Sequence, residues 1–323
     1  MIKANFLKGQ GLGNQLWVYA AVRGISKKLG TEFNIGGKEW FKGSSFLELS
    51  LTDSDIVQQQ SFDLFKEKQY FDPELQYYAS DYDSRVENIG ANTYVEGLFQ
   101  SEKYFYEFAS YLPEWLPLSE KMKAYSRQFS DVCILNVRGG EYKRHQNLIL
   151  PESYWADAIL NVKKQGGTDR FLIVTDDSAY AKYLFPELEV FEGGVSECYA
   201  ALYGAKSIVV SNSSFSYFPI KTRDDNPLVI APYQWSRFAN DYNRWAAPCN
   251  VYSDWSWQDQ AGVIHNYEEC LCNVEDTRSY YESEYNVHVP NSAIQYKSGF
   301  PQVPNFMKNP VKKLLAKIFP SLF

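Results

Sequence analysis

The second half of the chain alternates predicted strands and helices, and this alternation restricts the fold more than any other feature. Buried strands are predicted at 131–137, 170–175, 207–210 and 228–231, with amphipathic helices at 151–165 and 196–204. Two parallel strands need a long crossover connection, which a helix usually provides. The sequence therefore predicts a mostly parallel sheet with helices on both faces, in an α/β fold.

Polar residues follow three of these strands, at the point where each strand ends. They are Arg138 to Glu141, the pair Asp176 and Asp177, and the stretch 212–216. Ligands of open α/β sheets bind at the carboxyl ends of the strands. One such cluster is commonly a helix cap or a surface ion pair beside a turn. Three clusters on one sheet edge predict a ligand site.

The residue types in these clusters are suited to a phosphorylated ligand. The planar guanidinium of Arg138 matches phosphate oxygens, and the glycines after it let the backbone approach a ligand. Ser213 and Ser214 offer hydroxyl and N–H groups before a helix. The ring of Phe215 can stack on a flat group. We therefore expect a phosphate and a ring system at this edge.

The N-terminus combines a predicted strand at 2–7, a glycine-rich loop at 8–13 and a predicted helix at 14–29. This geometry directs N–H groups and the positive end of a helix dipole at an anion. The loop lacks the Gly-Lys-Ser/Thr ending of a P-loop. A plain tight turn and a truncated dinucleotide fingerprint remain as alternatives. A dinucleotide oxidoreductase is disfavoured because no acidic ribose-binding residue is evident after the loop.

Composition excludes several classes of protein. A length of 323 residues predicts two domains, and a net charge of −7 argues against general nucleic-acid binding. Five scattered cysteines fit a reducing compartment, and Cys270 and Cys272 lack the spacing of a zinc site. We find no secretory signal and no apolar run of membrane-spanning length, so we expect a cytoplasmic protein without a bound metal.

Four blocks of sequence, in order, resemble glycosyltransferase family eleven, the bacterial α-1,2-fucosyltransferases. They are Gly9-Gln-Gly-Leu-Gly-Asn-Gln15, Phe99-Gln-Ser-Glu-Lys-Tyr-Phe105, Asn136-Val-Arg-Gly-Gly-Glu-Tyr142 and Ser211-Asn-Ser-Ser-Phe-Ser216. Asp176-Asp177 matches the family's Ser-Asp-Asp, and Ala231-Pro232 with Trp235 matches its Ala-Pro-x-x-Trp. The resemblance spans about residues 1–240. It implies a GT-B-like fold, with two Rossmann-like domains facing a central cleft.

The resemblance also implies an activity. It suggests an inverting, metal-independent transfer of fucose from GDP-fucose, in α-1,2 linkage, to a glycan acceptor in surface polysaccharide synthesis. No cofactor is expected beyond the nucleotide-sugar donor, a GDP-sugar, as co-substrate. The residues placed at the donor by matching position are Gly11, Gly13, Asn14, Arg138, Asp176, Asp177, Ser213, Ser214 and Phe215.

The chain departs from the family at the central motif. Asn136 replaces the family's His, Gly139 replaces its second Arg, and Glu141 replaces its Asp. A lost arginine contact to the donor would cost about 1.5–3 kcal/mol. Another nucleotide sugar, or a non-catalytic nucleotide-sugar- or glycan-binding protein, therefore stays open. Glu141 is the first candidate for the catalytic base and His145 the second, with Arg138 stabilising the leaving group.

The predicted domain organisation has four parts. Residues 1–129 form an acceptor-side α/β domain, and residues 130–240 form the nucleotide-sugar-binding α/β domain. Residues 241–304 are an extension without a recognisable motif. Residues 305–323 are basic and amphipathic, which is typical of a helix at a membrane surface or of a terminal helix packed on the protein. The first alternative suits a lipid-linked acceptor and a position at the inner face of the membrane.

Overall fold

The computed structural model describes residues 1–53 and 62–284. In the first half, the elements are β1 (Ile2–Asn5), α1 (Leu12–Lys28), β2 (Phe33–Gly36), β3 (Asp63–Lys66), β4 (Gln69–Asp72), β5 (Tyr77–Ser80), β6 (Thr93–Glu96), α2 (Leu112–Trp115) and α3 (Glu120–Ser126). Four of the strands form a parallel sheet in the order β2-β1-β6-β3, and β4 and β5 form a separate antiparallel hairpin. The predicted tail at 305–323 lies outside the described residues.

The second half forms the larger sheet. Its elements are β7 (Cys133–Val137), α4 (Glu152–Lys164), β8 (Phe171–Thr175), α5 (Ser178–Leu184), β9 (Glu189–Phe191), α6 (Val195–Gly204), β10 (Ser207–Val210), α7 (Tyr217–Lys221), β11 (Leu228–Pro232), β12 (Ser256–Gln258), β13 (Ile264–His265) and α8 (Tyr267–Glu284). The sheet order is β13-β12-β11-β10-β7-β8-β9, and all pairs are parallel except β12 with β13. The predicted α/β class is confirmed, and each half contains a mostly parallel sheet.

Some local predictions differ from the structure. The acidic, tyrosine-rich sequence of residues 72–92 predicts a loop, but the segment contains β5 and a short 3-10 helix (Ser84–Asn88). The sequence of residues 116–129 predicts one helix, but the structure has α3 followed by a 3-10 turn there, and α2 precedes Leu116. Beyond residue 240, β12 extends the larger sheet and α8 returns to the hairpin, where Tyr281 stacks 5.9 Å from Tyr70.

One apolar core contains side chains of both halves of the chain. We call the half from β1 to α3 the first lobe and the half from β7 to α8 the second lobe. The core includes side chains of α1 together with side chains of α6, α7 and the segment before β12. The indole of Trp17 lies 4.2 Å from the ring of Tyr217 and is fully buried. Aromatic rings bury large apolar areas, so these contacts between the lobes are a main source of stability. They also hold the carboxyl edges of the two sheets in one arrangement.

Candidate active site

The larger sheet reverses its strand order between β7 and β10. β8 and β9 lie on one side of β7, while β10, β11 and β12 follow on the other, which is the strand order of a Rossmann fold. In such sheets, ligands bind beside the reversal, at the carboxyl ends of the strands. The loops at 138–151 and 211–216, which follow β7 and β10, therefore border the candidate site.

Arg138 stands at the carboxyl end of β7, and its side chain is 22% exposed. One guanidinium nitrogen, Nη2, lies 3.2 Å from Asp176 Oδ2 and 3.6 Å from Glu141 Oε1. The guanidinium also lies 5.0 Å from the ring centre of Tyr142. Its Nε–H is buried and has no hydrogen-bond partner. Arg138 therefore has one unpaired N–H donor at the point where the strand order reverses, which we call the switch point. Its guanidinium also interacts with the carboxylates of Asp176 and Glu141.

The two predicted aspartates shape the loop after β7. Asp176 Oδ1 accepts a 2.9 Å hydrogen bond from the N–H of Gly139. Asp177 caps α5 by accepting from Tyr180 N at 3.0 Å, and it forms an ion pair with Lys143. Burial alone would raise the pKa of Asp177, but Lys143 and the capped amide outweigh it and lower that pKa. Both carboxylates are thus occupied by protein groups.

Unpaired buried polar atoms gather at the same edge. The Oδ1 of Asn136 and the Oγ of Ser211 have no hydrogen-bond partner, as is true of Arg138 Nε. Asn136 pairs in register with Val210, the residue before Ser211, so the side chains belong to neighbouring strand ends. Buried polar groups in native proteins nearly always have partners. Three exceptions at one edge indicate a place that a polar ligand or ordered water would complete.

Asn212 ties the loops around the switch point together. Its carbonyl accepts from Tyr142 OH at 2.8 Å, and its Nδ2 donates to Leu148 O at 3.2 Å. Its Oδ1 accepts from Ser236 N at 3.1 Å, and Ser236 Oγ accepts from Tyr77 OH of the first lobe at 3.1 Å. Burial raises the pKa of Tyr142 to about 12, so its hydroxyl keeps its proton at neutral pH. The rim of the site is therefore held by both lobes.

The glycine-rich loop ends at the start of α1, which has an open N-terminus. Gly11 is the N-cap residue, no side chain caps the helix, and the first turn carries no acidic residue. No heavy atom lies within 4 Å of the position that a Cβ at Gly11 would take. An uncapped helix N-terminus with space in front of it favours an anion. This end of α1 can therefore receive phosphate oxygens.

Gly13 and Asn14 join the two lobes instead of facing open space. A Cβ at Gly13 would lie 2.4 Å from the carbonyl carbon of Ser214, so only glycine allows this contact. The Oδ1 of Asn14 accepts from Ser214 Oγ at 2.7 Å and from Gln100 Nε2 at 2.9 Å. These contacts bring the loops after β1, β6 and β10 together. The three predicted residues Gly13, Asn14 and Ser214 thus form the junction of the two lobes.

Ser213 and Phe215 have local partners. The buried Ser213 Oγ accepts from Phe215 N at 3.4 Å and stabilises the turn. The half-buried Phe215 ring packs against the shared core, with its centre 6.2 Å from that of Tyr199. The two residues shape the turn that carries Ser214, and direct contact of either with a nucleoside remains a prediction.

The two candidate bases lie on the exposed loop after Arg138. The Glu141 side chain is 72% exposed, and Glu141 belongs to a 3-10 turn that spans Gly140–Arg144. His145 is exposed and follows that turn, with its N–H bonded to Tyr142 O at 2.8 Å. The Glu141 carboxylate lies 3.6 Å from the Arg138 guanidinium. That position is compatible with contact to an acceptor hydroxyl.

Glu67 is an important residue that the sequence analysis missed. Its carboxylate is buried and accepts from Leu98 N at 2.7 Å, Phe99 N at 2.9 Å and Tyr104 OH at 2.9 Å. Burial raises the pKa of Glu67 to about 7. It fixes the loop after β6, whose Gln100 contacts Asn14. The charged run 66–68 resembles a solvent-exposed strand end, so no local pattern marks this carboxylate as buried.

A cavity of about 200 Å³ lies between the β4–β5 hairpin and α8, and none of the predicted site residues lines it. Within 1–53 and 62–284, no group of three or more His, Cys, Asp or Glu residues could hold a metal ion. None of the five cysteines forms a disulfide within the described residues. In the part of the chain that the structure covers, no helix has the length and apolarity needed to cross a bilayer.

No family model matches the sequence, and no curated protein matches it. Among solved structures, the E. coli heptosyltransferase WaaC with ADP is 11% identical over 88% of this chain and 99% of that chain, with a TM-score of 0.44. POFUT1 in complex with GDP-fucose is 10% identical over 69% and 93%, at 0.39. A variant of Arabidopsis thaliana FUT1 with GDP is 9% identical over 70% of each chain, at 0.44. Likenesses this distant do not bear on the sugar or acceptor that this chain uses.

Proposed function

We propose that this protein is an inverting, metal-independent glycosyltransferase that uses a nucleotide sugar, with GDP-fucose as the first donor to test. Its product would be an α-1,2-linked fucoside on a glycan acceptor of a surface polysaccharide. The observation that carries the proposal is Arg138, whose unpaired Nε lies at the switch point of a Rossmann-type sheet. The uncapped N-terminus of α1, from the other lobe, supplies a second anion-binding group.

The proposed reaction is a single in-line displacement. An acceptor hydroxyl attacks the anomeric carbon, the glycosidic C–O bond to the diphosphate breaks, and the bonding electrons leave with the nucleoside diphosphate. Negative charge grows on that leaving group in the transition state. The Arg138 guanidinium and the amides at Gly11–Gly13 would stabilise it, which is the role that a metal ion has in other transferases.

Proton removal from the acceptor hydroxyl needs a base at the rim. Glu141 is the first candidate because its carboxylate is exposed and lies 3.6 Å from the guanidinium that would hold the leaving group. His145, four residues later on the same loop, is the second. Either group would return its proton to solvent after each turnover.

A second candidate function is nucleotide-sugar binding without transfer. Gly139, where the resembled family has its second arginine, favours it, because a cationic group that would stabilise the leaving diphosphate is missing. Asn136, where the resembled family has histidine, is buried and offers no titrating group. The same sheet edge would then bind the donor, and no product would form.

The test begins with thermal-shift measurements against GDP-, UDP-, dTDP- and CDP-sugars, followed by transfer and donor-hydrolysis assays with the stabilising donor. We expect one nucleotide class to stabilise the protein. Arg138→Ala should reduce turnover at least about 100-fold, because it removes a charge-assisted contact made in the transition state. Arg170→Ala is the matched control, since Arg170 is exposed and precedes β8 at the opposite sheet edge.

Each outcome separates the candidates. Donor binding with neither hydrolysis nor transfer would support the binding protein over the enzyme. Stabilisation by no nucleotide sugar, or wild-type turnover in the Arg138→Ala variant, would end the donor-site model. Loss of activity in the Arg170→Ala variant as well would show that the assay reports general damage.

A further inference from the structure

The first lobe presents exposed apolar surface at the carboxyl edge of its sheet. Leu7 follows β1 and is 62% exposed, while Trp40 follows β2 and is 38% exposed. The Lys8 ammonium lies 5.4 Å from the centre of the Trp40 ring. Large apolar side chains that stay exposed near a ligand site often mark a binding surface. We call Leu7, Lys8, Lys38, Trp40 and Lys42 the Trp40 surface.

A buried glutamine holds this surface in place. Gln15 is fully buried on α1, and its Nε2 donates to Trp40 O at 2.8 Å. Its Oε1 accepts from Lys42 N at 3.1 Å. The one carboxamide therefore holds the backbone of residues 40–42 at both ends. The preceding residue, Asn14, accepts from Ser214 Oγ at the junction of the lobes. The Trp40 surface is therefore rigidly connected to the candidate active site.

The charge of this surface is opposite to that of the whole chain. Lys8, Lys38 and Lys42 are exposed, and within the described ranges none of the three has a carboxylate within 4.0 Å. Other exposed lysines, such as Lys66 and Lys182, are paired with glutamates. One acidic residue, Glu39, stands among the three lysines, on a chain of net charge −7. A local excess of positive charge on an acidic protein attracts anions.

The loop on the opposite lobe adds positive charge to the rim. Arg144 is exposed there, at the end of the 3-10 turn that begins at Gly140, and the exposed His145 follows it. Lys143 belongs to the same loop, but it is engaged by Asp177. Both lobes thus present basic side chains near the edge where the proposed transfer takes place.

We infer that the Trp40 surface binds the acceptor and that the acceptor is an anionic oligosaccharide. An indole face packs against the C–H face of a sugar ring, and ammonium groups pair with carboxylate or phosphate groups on that sugar. The inference rests on the proposed function, because a glycosyltransferase must bind an acceptor as well as its donor. It adds the substrate class, which the donor site does not specify.

The experiment compares trigalacturonic acid with its fully methyl-esterified form, which has the same rings without the charge. Binding is measured by titration calorimetry at low and high salt. We expect the acid to bind at least fivefold more tightly than the ester at low salt. That preference should shrink as salt rises, because exposed charge pairs are screened.

Three variants identify the groups responsible. The double variant Lys8→Ala/Lys42→Ala should bind the acid no better than the ester, with ester affinity unchanged. Trp40→Ala should weaken both ligands about tenfold, because the ring contact is common to them. The hydrogen bond from Gln15 to the carbonyl of residue 40 survives this change. Lys206→Ala is the control, since this exposed lysine precedes β10 at the opposite edge of the larger sheet.

Equal binding of acid and ester, binding of neither, or an equal effect of Lys206→Ala would overturn the inference. Its failure is distinguishable from failure of the proposed function. GDP-fucose hydrolysis in the absence of any acceptor tests the donor site alone, and the two saccharides test the Trp40 surface alone. Saccharide binding by a protein that binds no nucleotide sugar would refute the transferase and retain the surface as a glycan-binding site.

Discussion

Two glycines at the N-terminus of α1, Gly11 and Gly13, differ completely in their surroundings. The Cβ position at Gly13 falls against the backbone of Ser214 and Phe215, while that at Gly11 is open. Neither glycine has a positive φ angle, so an alanine there would meet contacts and not backbone strain. Alanine substitutions at the two positions therefore compare a closely packed site with an open one, only two residues apart.

We predict that Gly13→Ala destabilises the protein by about 1–3 kcal/mol or more, because the added methyl group would overlap a backbone that cannot move aside easily. Gly11→Ala should change the free energy of unfolding by less than about 0.5 kcal/mol. Urea denaturation of both variants measures the difference. Equal stabilities would show that the two lobes are further apart at Gly13 than the structure indicates.

Asp176 offers a second prediction at this scale. Asp176→Asn keeps an oxygen to accept from Gly139 N but removes the negative charge 3.2 Å from Arg138. The guanidinium would then be available to a diphosphate, so affinity for the nucleoside diphosphate should rise severalfold. Titration calorimetry with GDP measures this, and Asp169→Asn is the control because Asp169 is exposed and pairs with Lys163. Weaker binding by Asp176→Asn would indicate that Asp176 contacts the ligand directly.

At the residue scale, the sequence predicted which side chains gather at the sheet edge but not how they pair. Arg138, Asp176 and Ser214 were expected there because each follows a predicted strand. The contact of Asn14 with Ser214 spans 200 positions and depends on how the lobes dock. No local pattern in the sequence carries that information.

Among the elements, the loop after β6 depends on one buried carboxylate. Glu67, directly after β3, holds the amides of Leu98 and Phe99, and Phe99 has a φ of 49°, which is uncommon for a residue other than glycine. A Cβ at Gly97 would lie 2.5 Å from the Cβ of Glu67, so the loop also packs closely on this side chain. The loop then positions Gln100 against Asn14.

The raised pKa of Glu67, about 7, predicts a defined pH dependence. The folded protein holds this proton more tightly than the unfolded chain, so the contribution of Glu67 to stability falls as pH rises from about 4.5 to about 7. Glu67→Gln should abolish this decline, which amounts to about 3 kcal/mol across the window. The glutamine can still accept from both amides and donate to Tyr104.

Denaturation of wild type and Glu67→Gln at several pH values measures this difference. The control is Glu96→Gln, whose side chain is 37% exposed and pairs with Lys66 at 3.2 Å. Asp83, Tyr104 and Cys249 also lie near Glu67, so the comparison uses the difference between variants and not the absolute slope. A pH-independent difference between wild type and Glu67→Gln would contradict the assignment.

The prediction of elements succeeded where periodicity was strong. The strands at β7, β8, β10 and β11 are fully or mostly buried runs of β-branched and aliphatic residues, and each was anticipated. The β4–β5 hairpin was missed because its four-residue strands mix tyrosines with acidic residues. Its stability comes from distant partners, such as the hydrogen bond from Tyr281 OH of α8 to Asp72 at 3.2 Å.

For the whole molecule, the main feature is the shared core with a partly buried ion cluster beside it. Lys221 of α7 lies 2.9 Å from Glu102 of the first lobe and 2.5 Å from Asp254. Burial lowers the pKa of Lys221, but the two carboxylates outweigh it and raise the pKa overall. Tyr217 OH also donates to Glu102 at 2.7 Å. Apolar and charged contacts thus join the lobes at the same place.

We predict that both lobes unfold in one cooperative transition, because the larger apolar core contains side chains of both. Calorimetry should give one peak whose calorimetric and van't Hoff enthalpies agree. Lys221→Met would leave the two carboxylates without their cation and should lower stability by about 3 kcal/mol while keeping one peak. Two separate peaks in the wild-type protein would contradict this account.

The close seat of Gly13 on the turn of Ser214 has a consequence for how such proteins diversify. A chimera that joins the second half of this chain to the first half of a relative lacking this glycine would place a side chain against the backbone of Ser214. Substitutions in the peripheral loops, whose ends are anchored, can therefore change donor or acceptor preference more easily. Recombination of intact halves would disturb the contact between the lobes.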